Sequence, residues 1–157
     1  MSKEKKVTLR FAEEEDCREV YDWRNDSRVR AISFSSEEIP YEDHEQWFKK
    51  MIRDPNRILF IIMNEEFQTI GDIRFDKKGN YSLINIVIGW DFVGKGYGTS
   101  ALAKASKTYL DNFSVDYIVA EIKKDNIPSI KSFSNAGYQL CQEDEEKAEY
   151  RFYGKNY

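Results

Sequence analysis

Apolar and polar positions change period several times along the chain, and each change predicts an element. Residues 7–11, VTLRF, alternate and predict a strand. Glu13, Glu14, Glu15 and Asp16 follow as an acidic first turn suited to the positive end of a helix dipole. Cys17, Val20, Tyr21 and Arg24 then recur at helical spacing. Residues 23–39 are polar and irregular, predicting a helical turn and a loop. Pro40 suits the first turn of a second helix, with Trp47, Phe48, Met51 and Ile52 as its buried stripe. Lys49, Lys50 and Arg53 favour its C-terminal end, and Asp54-Pro55 stops it.

Three apolar runs come next: 57–64, 67–76 and 81–90, separated by turns at Glu65-Glu66 and at 78–80. Such short links predict an antiparallel meander. Tyr97, Ala101, Ala105 and Tyr109 then recur every four residues, a helix packed closely through its alanines. Residues 116–123 predict a strand. Residues 125–138 predict a helix with a start signal at Asp125-Asn126, a proline in its first turn and Gly137 as its stop. Residues 138–142 and 149–153 predict a closing hairpin around the acidic turn 143–146. The order is β α α β β β α β α β β, an α+β fold. Neither a repeat nor a linker interrupts it, so residues 1–157 are expected to form one domain.

Composition narrows the function. Apolar residues at 41% and aromatics at 15% suit a packed core. No stretch reaches the ~18 consecutive apolar residues of a membrane helix. The first residues lack the apolar core of a signal peptide, so a cytoplasmic location is expected, with no membrane partner. Cys17 and Cys141 lie far apart without metal spacing and are expected to be reduced and structural. His44, the only histidine, excludes a multi-histidine metal site, and no metal is expected. A net charge of −4 argues against nucleic acid as a partner, yet leaves room for a local pocket that takes a phosphorylated cofactor.

The informative segment is 84–100, INIVIGWDFVGKGYGTS, where a strand runs through a glycine-rich loop into a helix. Glycines let backbone N–H groups approach phosphate oxygens, and a helix N-terminus adds unpaired donors. Three motifs compete for it. Gly89 to Gly96 is one residue short of a Walker A loop, with Gly96 where a Ser or Thr hydroxyl would hold magnesium. Gly96, Gly98 and Ala101 satisfy a dinucleotide fingerprint, but only 56 residues remain after Ala101, too few for a doubly wound sheet. The third reading is a glycine loop before a helix, with a further strand–helix unit downstream.

Val93-Gly94-Lys95-Gly96-Tyr97-Gly98 resembles the acyl-CoA loop of the GNAT superfamily of N-acyltransferases, with Val93 where that loop carries Arg or Gln. Asn126, Ser129, Phe133, Gly137 and Tyr138 resemble the family's downstream helix. The resemblance implies a mixed central sheet with an antiparallel meander and flanking helices, and transfer of an acetyl group from acetyl-CoA to a primary amine by direct attack. It places the cofactor against Ile86, Val87 and Ile88, Val93 to Thr99, and Asn126, Ser129 and Phe133. Trp23–Asp26, His44–Phe48 and Ile70–Asp76 are similar to segments of GNAT enzymes acting on sugar-nucleotide amines; ribosomal-protein N-terminal acetyltransferases share a similar layout. A small-molecule amine and a monomer or homodimer are therefore expected.

The remaining candidates each have an ordinary alternative. His44 shares the buried side of its helix and is either a general base or a structural or orienting group. Asn85 points opposite to Ile84 and Ile86, toward substrate or a water. Phe133 stands where the family often has a tyrosine acid, which leaves Ser132 or solvent to protonate the leaving thiolate. Arg24 and Arg74 suit a nucleotide diphosphate, with Trp47 as an aromatic wall, or else form surface salt bridges. The competing functions are a sugar-nucleotide amine acetyltransferase, a protein N-terminal acetyltransferase and a non-catalytic acyl-CoA-binding domain.

Overall fold

Phe60, Ile62, Ile73, Phe75 and Ile84 pack into one core and Leu59 and Ile61 into another, because alternate side chains of a strand face opposite sides. The computed structural model describes residues 5–34 and 37–154. Its strands are β1 (Thr8–Phe11), β2 (Arg57–Met63), β3 (Thr69–Lys77), β4 (Tyr81–Ile88), β5 (Tyr117–Lys123), β6 (Gln139–Glu143) and β7 (Lys147–Phe152). The helices are α1 (Cys17–Asn25), α2 (Ser27–Ala31), α3 (Tyr41–Arg53), α4 (Tyr97–Asn112) and α5 (Ile127–Asn135).

The seven strands form one sheet in the order β1-β2-β3-β4-β5-β7-β6. Every neighbouring pair is antiparallel except β4 and β5, which run parallel. The β2-β3-β4 meander and the closing β6-β7 hairpin are those expected from the sequence.

Helices α4 and α5 cover one face. Ala101 and Ala105 are fully buried, which lets α4 lie close to the sheet. Tyr109 stacks on Phe75 with ring centroids 4.0 Å apart and shares a 2.7 Å hydrogen bond with Ser82. Such a ring pair is worth ~0.5–1.5 kcal/mol beyond its buried area. Val20 of α1 and Phe48 and Met51 of α3 cover the other face, against Leu59 and Ile61.

Several local expectations shift. The polar stretch 23–39 holds a separate short helix, α2, capped by the Asp26 side chain accepting from the Arg28 amide. Pro40 is the N-cap of α3, in extended conformation, instead of a first-turn residue. Trp47 and Ile52 are only half buried beside Phe48 and Met51. Both cysteines are free; Cys17 is buried as a structural residue would be, but Cys141 is exposed on β6, whose five residues all face solvent. Asn126 caps α5 by accepting from the Ser129 amide, and Gly137 follows with φ 103°. Among the described residues no helix is long and apolar enough to cross a membrane.

Candidate active site

Strands β4 and β5 pair only from Tyr81–Leu83 to Tyr117–Val119 and then part. On its other edge β4 stays paired with β3 as far as Gly71 opposite Ile88. The Gly89 amide donates to the Ile70 carbonyl in the same register. Antiparallel bonding alternates, so the odd-numbered residues of β4, including Val87, direct their backbone groups to β3. Beyond the paired stretch, Ile86 and Ile88 turn theirs into the gap. A strand edge without a partner offers donors and acceptors to an extended ligand. The gap opens into a cleft of about 570 Å³ lined by β4, the end of β5, the loop before α4, and residues of α1, α2, α3 and α5.

Val93, Gly94, Gly96, Gly98 and Thr99 line one part of this cleft. Gly96 caps α4 in the left-handed region at φ 89°, a conformation other residues adopt at a cost. The first helical bond runs from the Ser100 amide back to Gly96, so the preceding N–H groups of α4 have no helical partner. A methyl group on Gly98 would meet the Ser132 hydroxyl at 3.1 Å, so the missing side chain lets α5 approach the loop. Asn126, Ser129, Ser132 and Phe133 of α5 line the same wall. Unpaired amides, bare glycine backbone and a strand edge fit the pyrophosphate and pantetheine of a CoA ester. Lys95 and Tyr97 do not line the cleft: the Lys95 amine lies 5.8 Å from the Phe92 ring centroid, and the Tyr97 hydroxyl bonds Glu65.

On the opposite face of the sheet, Tyr21, Arg24, Asn25, His44 and Asn85 reach the cleft. His44 is 4% exposed and its Nε2 lies 2.9 Å from the Cys17 carbonyl oxygen. Burial, aided by the nearby Arg24 charge, pushes its pKa down against the pull of that hydrogen bond. Asn85 pairs across the sheet with Arg74 and is exposed. The Arg24 guanidinium bonds the fully buried Asp72 at 3.1 Å and lies 5.1 Å from the Trp47 ring centroid. Arg74 lies 5.3 Å from the same ring and pairs with Asp76. Burial and the Arg24 charge both push the Arg74 pKa down.

The cleft therefore collects His44, Asn85 and Ser132, all the expected cofactor positions except the Lys95 and Tyr97 side chains, and Arg24 of the three expected substrate contacts. Trp47 and Arg74 are not among its lining residues. The surface-ion-pair alternative also fails for Arg24, since its partner has no exposed surface.

Asn25 and Asp72 lie within the segments Trp23–Asp26 and Ile70–Asp76 but have no role assigned from the sequence, and Tyr21 stands out only at helical spacing. The Tyr21 hydroxyl donates to the Ile39 carbonyl, and the Asn25 side chain accepts from the Ile39 amide, fastening the stretch before α3 to α1. The available signal for Asp72 was an acid between Ile70 and Ile73, on the same strand face as Arg74 and Asp76.

Residues 6–139 match the acetyltransferase (GNAT) domain family. The chain is 24% identical over 134 residues to the acetyltransferase PseH of Campylobacter jejuni, covering 81% of this chain and 79% of that protein. Its fold is similar to that of a domain from Methanocaldococcus jannaschii, with a TM-score of 0.83, 23% identity and coverage of 95% and 99% of the two chains. A spermidine N-acetyltransferase from Vibrio cholerae, solved with CoA and spermine, superposes with a TM-score of 0.80 at 17% identity, covering 93% and 94%. The parted strands, the glycine loop and the matched domain agree: this chain belongs to the GNAT family and is an acetyl-CoA-dependent N-acetyltransferase.

Proposed function

We propose that the acceptor is a primary amine on a nucleotide-linked amino sugar. The observation that carries this reading is the position of Arg24 in the cleft wall, on the face of the sheet away from α4. A guanidinium there suits an anionic acceptor, and Tyr21 and His44 offer ring surface beside it. Arg24 and Arg30 line the cleft together with the acids Glu37 and Glu121, and Arg24 is paired with Asp72 behind the wall.

The bound cosubstrate supplies a thioester whose carbonyl carbon the amine nitrogen attacks, forming the C–N bond as the C–S bond breaks. The 94–99 backbone holds the pyrophosphate, and Ile86 and Ile88 offer N–H and C=O groups along the pantetheine and thioester. Asn126, Ser129 and Phe133 line the α5 side of that track. Proximity and alignment are the largest contribution such a site makes. His44 takes the proton that the amine loses, and Asn85 orients the acceptor or a water. Ser132 donates to the departing thiolate. Trp47 and Arg74 act behind the wall, supporting Arg24.

The test compares kcat/KM for a nucleotide-linked amino sugar, the same sugar unlinked, a polyamine and a peptide with a free N-terminus. A charged hydrogen bond contributes about 1.5–3 kcal/mol, so the linked sugar is expected to lead the unlinked one by roughly ten- to a hundredfold. A peptide preferred over every amino sugar would replace this reading with protein N-terminal acetylation.

A further inference from the structure

We infer that Asp72 is a positioning residue, its buried carboxylate setting the direction in which Arg24 presents its guanidinium to an anionic group of the acceptor. This rests on the proposed acceptor class. Asp72 lies on β3 with no exposed surface and does not line the cleft, whereas 21% of the Arg24 side chain is exposed and the residue lines it. The two are 48 positions apart and meet through one 3.1 Å bond from Arg24 Nη2 to Asp72 Oδ1.

The pair is a poor stabiliser. It lacks the two parallel bonds of a forked guanidinium–carboxylate pair, and both Asp72 Oδ2 and Arg24 Nε are buried without a hydrogen-bond partner. Buried charges with unsatisfied atoms are commonly matched or bettered by apolar side chains of similar size. The pair does restrict Arg24. With Nη2 tied to Asp72, Nε buried and the guanidinium 5.1 Å from the Trp47 ring centroid, Nη1 is the nitrogen left to serve a ligand in the cleft that Arg24 lines. Arg74 lies over the same ring but is drawn to Asp76 at 3.2 Å. The two carboxylates of β3 thus sort two guanidinium groups, one to the cleft wall and one behind it.

The experiment measures kcat and KM for a nucleoside-diphosphate amino sugar and for the unlinked sugar. It uses wild type, Arg24→Ala, Asp72→Asn, the combination of these two, and the apolar pair Arg24→Met with Asp72→Leu. Arg24→Ala should cut the preference for the linked over the unlinked sugar by roughly ten- to a hundredfold, through KM for the linked sugar. Asp72→Asn should raise the same KM at least about fivefold with kcat little changed, and should add nothing in the Arg24→Ala background. The apolar pair should melt at or above wild type yet be unselective, and if Asp72→Asn does not fold, Asp72→Glu, which keeps the charge but displaces it, should show the same rise in KM for the linked sugar. Wild-type selectivity in Asp72→Asn overturns the positioning role alone, and wild-type selectivity in the apolar pair overturns the role of Arg24 as well. A wild-type enzyme indifferent to the nucleotide overturns the acceptor assignment and this inference with it.

Discussion

His44 Nε2 lies 2.9 Å from the carbonyl oxygen of Cys17. A carbonyl only accepts, so Nε2 carries the proton and the neutral ring keeps its lone pair on Nδ1. Burial and the Arg24 charge favour that neutral form.

If Nδ1 is the base, kcat should fall only below the ordinary histidine value near 6.5, because the depressed pKa keeps the ring ready to accept at neutral pH. His44→Gln should lower kcat by roughly a hundredfold or more and remove that acid limb. A loss under about tenfold with the limb intact would show that His44 orients and does not take the proton. The measurement is the pH profile of kcat at saturating acceptor.

Ser132 sits beside Gly98 where the glycine loop meets α5, while Phe133 is 3% exposed and packs its ring edge-to-face on Tyr138 at 4.9 Å. Phe133 has no proton to give, so Ser132→Ala should slow single-turnover acetyl transfer by roughly tenfold or more if the serine supplies the thiolate proton. An unchanged rate would assign that proton to solvent, which suffices for a thiol with a pKa near 8.5.

Arg10 grips Asp16 through two 2.8 Å hydrogen bonds, and the Glu13 amide adds a third at 2.8 Å. Burial alone would raise the Asp16 pKa, but these bonds outweigh it and hold it below the usual carboxylate value. As pH falls the unfolded chain binds this proton first. The contribution is complete above the unfolded value near 4 and is lost as pH drops through the lower folded value. Asp16→Asn should cost about 1 kcal/mol at neutral pH, after allowing for solvent around Arg10. Urea unfolding followed from about pH 6 downward should converge on wild type in acid; parallel curves would rule out the contribution.

The parts of this protein legible along the chain depend on near neighbours. Alternation in 57–64 and 67–76, the four-residue spacing of Tyr97, Ala101, Ala105 and Tyr109, and the Asn126, Pro128 and Gly137 signals specify elements through local dihedral and packing preferences. The cofactor end belongs to this class, since a strand, a glycine loop and a helix N-terminus are one continuous segment. The acceptor end does not. Asp72 and Arg24 are separated by 48 positions and His44 and the Cys17 carbonyl by 27, so no local period marks either contact. The order of the strands and longer helices, the glycine loop and the family are legible along the chain, whereas the short helix α2 is not. Packing in three dimensions sets the rest: β4 and β5 part after Leu83, Arg24 reaches the cleft while Arg74 stays behind it, and Asp72 is buried on β3 against Arg24. The reason is physical: a residue's environment on a sheet face is set by side chains from helices and strands far along the chain, and burial of a charge exists only once those elements have packed.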